Sequence, residues 1–303
     1  MTLLVLTLML LSATDLTETT ELDALQVTRL MDAASTGPTV LMNYMEIRGK
    51  LIPRYALYNF EKKEAVYIKD ARIEPFAKSI VAHDGAYYIL GAGIKLFQVS
   101  SKGLFQGILR LSDFEGWEEN VSVNWIEQNG ETILMSYERQ DEEGGIFLAK
   151  VDLTHKKIDT IHGIQPSKQK YLYAPMDNQM LRLSLYTTEI ALVDQQMKKV
   201  KTLRPSQAVL EKEVHDALRE TQKEKAVKQL QPLDRPMIWT GSGFSLKYLK
   251  THDGAGERLD KSINRSLFIG KDHKILISGE FILAQHRGKS LLLDIAEQTV
   301  HVN

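Results

Sequence analysis

Cysteine is absent from all 303 residues. Disulfides, thiolate metal centres and cysteine nucleophiles are therefore excluded, while the cellular compartment stays open. Charge of one sign is also missing: 38 Lys and Arg face 39 Asp and Glu, for a formal net charge of −1. A chain so balanced offers no overall electrostatic attraction for nucleic acid or anionic lipid. No apolar run approaches the roughly 20 residues that a membrane-spanning helix needs. Catalytic signatures are missing as well. There is no Gly-x-Ser-x-Gly elbow, no Walker loop, no His-Glu-x-x-His and no dinucleotide fingerprint. Gly91-Ala92-Gly93 sits between two apolar runs and reads as a turn, not a phosphate cradle.

What is present begins with a short apolar stretch, Leu3 to Leu11, followed by Ser12-Ala13 and polar Thr14-Asp15. The pattern is that of a secretory signal, residues 1–13, cleaved after Ala13. It places the mature chain in the periplasm or outside the cell. Residues 14–37 form a lead-in in which Leu22, Leu25, Leu30 and Met31 recur at roughly helical intervals, and a short helix ending at Gly37-Pro38 is expected.

From residue 38 to 303 the chain is punctuated differently. Between Lys78 and Leu111 four apolar runs, Ile80-Val81, Tyr87 to Leu90, Ile94 to Val99 and Leu104 to Leu109, are separated by Asp84-Gly85, Gly91-Ala92-Gly93 and Ser100 to Gly103. Such spacing predicts four antiparallel strands joined by tight hairpins. Thr39 to Ile68 supplies three further strands. Val121 to Ile161, with Asn129-Gly130 at its first hairpin, and Lys170 to Leu203, with Asp177-Asn178, repeat the unit. A last unit spans Arg265 to Asn303, with Asp272-His273 taken as its first hairpin. Third-strand ends are expected at Asn59, Gln98, Asp152, Asp194 and Asp294. The repeat period is about 45 residues, with about twice that before the last unit, which leaves room for a fifth.

The stretch from Lys78 to Leu111 resembles an NHL-type or TolB-like β-propeller blade, whose first hairpin carries Asp-Gly and whose third strand runs into a turn ending in Lys-Gly. Gly91 and Lys95 stand where the best-marked NHL repeats carry a buried Asp and Arg. The resemblance implies an all-β fold, a six-bladed propeller of four-stranded antiparallel blades. It is expected to close by pairing first-blade strands with strands from the C-terminal end. One helical insertion is expected between blades four and five, over residues 206–231. There Ser206 caps an apolar stripe of Leu210, Val214, Ala217 and Leu218, and Pro232 ends it. The insert with the strand of Trp239 also resembles an insertion in bacterial six-bladed propeller proteins of unassigned activity.

In propeller enzymes, ligands generally come from loops on the face that carries the links into each blade. On that face the sequence places Asp113, Glu115, Trp117, Glu118 and Glu119 between the second and third blades, joined by Glu138, Asp141, Glu142 and Glu143. Such oxygen-rich loops suit Ca²⁺, although charge-rich loops are more often only solvated, and no cofactor is expected. His83-Asp84-Gly85 and His252-Asp253-Gly254 share His-Asp-Gly-Ala, which reads as a positive-φ turn ahead of a metal motif. Two functions compete. The first is a binding module for a protein, peptide or glycan, without nucleic acid and without a membrane span in the mature chain. The second is a metal-dependent lactonase-like hydrolase or lyase with its site on the propeller axis.

Overall fold

The computed structural model describes residues 17–20, 25, 27–47, 50–129, 131–140, 145–164, 171–176, 179–184, 190–194, 196–203, 227–231, 237–240, 243–248, 250–253, 265–278, 280–294 and 297–303. The first sheet holds β1 (Thr17–Thr20), β2 (Arg29–Thr36), β3 (Thr39–Ile47), β4 (Leu51–Asn59) and β5 (Glu64–Ile68), ordered β1-β5-β4-β3-β2. The second runs in chain order through β6 (Ser79–His83), β7 (Ala86–Leu90), β8 (Lys95–Ser100) and β9 (Phe105–Arg110). The third does the same through β10 (Val121–Asn129), β11 (Thr132–Arg139), β12 (Ile146–Asp152) and β13 (Lys157–Ile164). The fourth follows with β14 (Tyr171–Met176), β15 (Gln179–Ser184), β16 (Ile190–Val193) and β17 (Lys199–Leu203).

Next come β18 (Val227–Gln231), β19 (Met237–Trp239), β20 (Gly243–Tyr248), β21 (Lys250–Asp253), β22 (Arg265–Gly270) and β23 (Ile275–Ser278). The fifth sheet is ordered β19-β20-β22-β23, and β18 pairs with β21 as a separate ladder that prolongs the β19–β20 hairpin. A last sheet holds β24 (Glu280–His286), β25 (Lys289–Asp294) and β26 (Thr299–Val302). Among the described residues all ladders are antiparallel, and the first strands of neighbouring sheets meet at the centre, β2 beside β6 and β24, and β6 beside β10. The molecule is an all-β propeller. Helix among the described residues is a single 3₁₀ turn at Leu111–Asp113, and none is long and apolar enough to cross a membrane.

Stacked sheets explain the sequence pattern. β3 is buried along both faces from Thr39 to Glu46, and all of β7 is buried, so these strands read as continuous apolar runs. The edge strand β9 alternates between half-buried and exposed. Turn chemistry repeats with the sheets. Asp84 and Gly85 have φ of +48° and +70°, the backbone that a two-residue hairpin demands. At the third turns, Asn59 Oδ1 accepts from the N–H groups of Glu61 and Lys62. Asp194 Oδ1 accepts from Gln196 and Lys198, and Asp152 Oδ1 from His155. In the second sheet Ser100 Oγ, not Gln98, takes that role, accepting from Lys102 and Leu104.

Several expectations are corrected. Arg29–Thr36 is a strand, not part of a helical lead-in, so the first sheet starts before residue 38. A β-bulge between Leu30 and Asp32 breaks the two-residue alternation and left a spacing that mimics a helix. Asn129 pairs with Thr132, so the first hairpin of the third sheet is shifted by one residue from Asn129-Gly130. Arg265–Gly270 and Ile275–Ser278 belong to the fifth sheet, and Asp272-His273 is its last turn, not the first hairpin of the final unit. Among the described residues the final sheet has three strands where four were expected, so Asp294 ends its second strand, not a third. The end of the expected helical insertion, Val227–Gln231, is a strand; residues 204–226 lie outside the described residues.

Closure also differs. β1 pairs with β5 in its own sheet, and among the described residues no ladder joins the first and last sheets. They meet through side chains instead. Phe281, Leu283, Leu291, Leu293 and Val300 share one buried cluster with Val40, Met42, Tyr44, Tyr58 and Phe60. Burying those five residues of the last sheet is worth roughly 1.5–3 kcal/mol each before ordering costs.

Candidate functional site

The antiparallel order gives the propeller two ends. One, the connection face, carries the links between sheets and the β3–β4, β7–β8 and β11–β12 turns; the other, the hairpin face, carries the β2–β3, β6–β7 and β10–β11 turns. The acidic link between β9 and β10 starts on the connection face but does not stay there. Leu111 and Phe114 bury into the core between the second and third sheets, with Trp117 packed against it. Glu115 then pairs with the edge of β13: its N–H donates to Lys156 O at 2.9 Å and its carbonyl accepts from Ile158 N at 2.8 Å. Gly116, at φ +82°, lies so close to the Ile158 carbonyl that a Cβ would collide with backbone.

Glu118 is the one link carboxylate drawn inward. Its Oε2 accepts from Arg139 Nε at 2.6 Å and its Oε1 from the Tyr137 hydroxyl at 3.1 Å. Tyr137 in turn accepts from Thr160 Oγ1 at 2.9 Å and stacks on Phe147, over which Arg139 lies at 4.3 Å from the ring centroid. The hydrogen bond from Arg139 holds the Glu118 carboxyl below its ordinary range, and burial pushes the Tyr137 hydroxyl up. This is a satisfied brace across one sheet. Asp113, Glu115, Glu119 and Glu138 are exposed, and Asp141, Glu142 and Glu143 lie outside the described residues. Among the described residues none of these carboxylates joins a group of three at metal-ligand distance.

The better-organised part of the connection face lies between the first and second sheets. Asn43, fully buried, donates to the carbonyls of Arg54 (3.0 Å) and Pro75 (3.1 Å) and accepts from Ala77 N at 3.1 Å. The Tyr55 hydroxyl donates to Glu74 O at 2.8 Å, and Glu74 Oε2 accepts from Ala92 N at 2.6 Å. The β5–β6 link is thereby pinned at three places. On this fixed frame three large apolar side chains face water: Ile47 (54% exposed) and Leu51 (58%), paired at the end of the β3–β4 hairpin, and Phe76 (50%) on the link. The sequence reading overlooked them, because each was counted as part of a strand or ignored in a loop. Pro75-Phe76 beside a strand terminus was the available signal.

Nearer the centre, side chains stitch neighbouring first strands together. Asp32 Oδ2 accepts from Ile80 N at 2.7 Å, Ser79 Oγ accepts from Ile126 N at 2.9 Å, and Gln128 Oε1 accepts from Ala82 N. Lys78 Nζ donates to Val123 O at 2.8 Å. Inner strands have no ladder partner on their central edge, so these bonds satisfy backbone groups that would otherwise be stranded. Each of these four side chains serves the backbone of a neighbouring sheet.

No protein-family profile and no curated protein matches the chain. Among solved structures, Sqt1 of Saccharomyces cerevisiae is 9% identical, with 93% of this chain and 76% of that chain covered and a TM-score of 0.34. Virginiamycin B lyase of Staphylococcus aureus is 11% identical, with 94% of this chain and 97% of that chain covered and a TM-score of 0.46.

Proposed function

We propose that the chain is an extracytoplasmic, six-bladed β-propeller of the NHL/TolB-like kind that binds a protein or peptide on its connection face. The observation that carries this reading is the trio Ile47 and Leu51, exposed at the end of the β3–β4 hairpin, and Phe76, exposed on the link that the buried Asn43 holds in place. Large apolar side chains on a rigid rim gain free energy only when a partner covers them. A polypeptide is favoured over a glycan because aliphatic Ile47 and Leu51 offer neither hydrogen bonds nor a stacking surface. Six blades are supported by the succession of sheets with Asn or Asp third turns recurring in the first, third and fourth, the three-stranded last sheet counting as the sixth. An exported location is supported by Leu3 to Leu11 followed by Ser12-Ala13, and N-terminal sequencing of envelope protein should start near Thr14.

A photo-crosslinking residue at Leu51 or Phe76 in the producing cell tests the binding surface. Discrete crosslinked protein bands are expected there, and none from the same probe at Lys62 on the hairpin face. Bands that persist unchanged when Ile47 and Phe76 are both made Ser would overturn the assignment, as would equal labelling from Lys62.

A further inference from the structure

The hairpin face holds a different kind of cluster. β6 ends at His83, and Asp84 opens the turn that follows, 72% exposed. One sheet along, the pairing of Asn129 with Thr132 leaves Glu131 at the tip of the β10–β11 hairpin, 84% exposed. Thr154 comes up from the β12–β13 turn. The three segments meet at the imidazole, whose side chain is 13% exposed. Nε2 lies 2.9 Å from Thr154 Oγ1 and 3.5 Å from Asp84 Oδ2, while Nδ1 lies 3.2 Å from Glu131 Oε2. Nδ1 is shut off from solvent and makes no hydrogen bond.

That last contact is informative. In the tautomer whose Nε2–H donates to Thr154, Nδ1 is a lone pair 3.2 Å from a carboxylate oxygen, two acceptors that repel unless a positive centre lies with them. One ligand atom each from His83, Asp84 and Glu131 falls within 4.8 Å of the others. Three donors about 2.0–2.2 Å from a common ion would draw closer together than this, and two of them sit on exposed carboxylate side chains with room to close in. The Thr154 contact then serves as the outer hydrogen bond that fixes the ring of a metal-bound histidine.

The geometry points to a divalent metal site at His83, Asp84 and Glu131, of the zinc class, spanning the second and third sheets on the hairpin face. One imidazole with two carboxylates suits Zn²⁺ and leaves a position for water. An ion of the Ca²⁺ class would take oxygen ligands throughout. Bound there, the ion ties the β6–β7 turn to the β10–β11 turn, a junction otherwise joined on this face by side chains alone.

The test uses the full chain, stripped with a chelator and titrated with zinc chloride at pH 7.5 by calorimetry and by thermal melting. Saturable one-to-one binding with a rise in melting temperature is expected. His83→Ala should abolish both, and Glu131→Gln and Asp84→Asn should each weaken binding roughly tenfold or more. Asn tolerates the positive φ of position 84, so the turn survives that change. His155→Ala removes a second His–Asp pair of the same face, His155 Nδ1 to Asp152 Oδ2 at 2.8 Å, and should leave binding intact. If His83→Ala does not fold, Glu131→Gln alone decides, since that side chain is almost wholly in solvent. The proposal is overturned if the native chain takes up no zinc, if Glu131→Gln binds as tightly as the native chain, or if calcium chloride binds as tightly as zinc chloride.

Discussion

The two seams that flank the first sheet are built on different principles. Toward the second sheet the chain is continuous, and the seam is polar as well as apolar. Asn43 holds the link, Asp32 reaches Ile80 N, and the Tyr87 hydroxyl donates to Thr39 Oγ1 at 2.8 Å, which donates to Thr36 O at 3.0 Å. Toward the last sheet there is no link to hold, and the seam is chiefly a buried apolar cluster. Its polar contacts include one backbone bond, Val27 N to Gln298 O at 2.8 Å, and an exposed ion pair, Arg287 to Glu61 at 3.4 Å. Where the chain itself supplies proximity, directional bonds can set the angle between sheets. Where two distant parts must find each other, shape and apolar area do the work, and close packing must then be accurate.

The contrast can be broken from either side. Phe281→Ala, at a fully buried position of the closing seam, should cost about 3–5 kcal/mol in urea unfolding, the largest effect of the set. Asn43→Ala should cost about 2–4 kcal/mol, because it strands one buried N–H and two part-buried carbonyls. Tyr87→Phe should cost about 1 kcal/mol, one hydrogen bond at a buried position. Arg287→Ala should fall within about 0.5 kcal/mol, as exposed ion pairs usually do.

Acid sharpens the comparison further. Glu118 is held below the ordinary carboxylate range by Arg139, so its brace stabilises fully above the unfolded value of about 4.3 and is lost as pH falls through the lower folded value. Stability measured from pH 7 down to pH 3 should therefore decline less steeply in Glu118→Gln than in the native chain. An unchanged slope would mean that the brace contributes nothing.

Much of the fold was legible because hairpins are local. Asp84-Gly85 announces its positive-φ turn, and Asn59, Asp152, Asp194 and Asp294 announce theirs, since each side chain bonds backbone two to four residues ahead. Arg29–Thr36 was illegible because a bulge erased its alternation. The fifth and last sheets were mis-divided because Asp272-His273, with His273 at φ +64°, has the composition of a first hairpin and the position of a last turn. The site was the least legible part. Asn43 and Ala77 are 34 residues apart, Asp32 and Ile80 are 48 apart, and His83 lies 48 before Glu131. No periodicity in a single chain reports which loops a closed ring brings together. The density of carboxylates in the β9–β10 link attracted attention, yet that link follows the edge of β13 and spends Glu118 on a brace.

Native-state hydrogen exchange resolved by residue, across a series of low denaturant concentrations, tests the difference between the seams most directly. Ile80, Ala82 and Ile126, whose N–H groups are held by side chains of neighbouring sheets, should exchange only through global unfolding. The Val27 N–H, held across the closing seam by Gln298, should exchange at a lower free energy, through opening of the ring between the first and last sheets. Equal protection at all four amides, or earlier exchange at Ile80 than at Val27, would contradict the view that the continuous seams are fixed by polar pins and the closing seam chiefly by apolar packing.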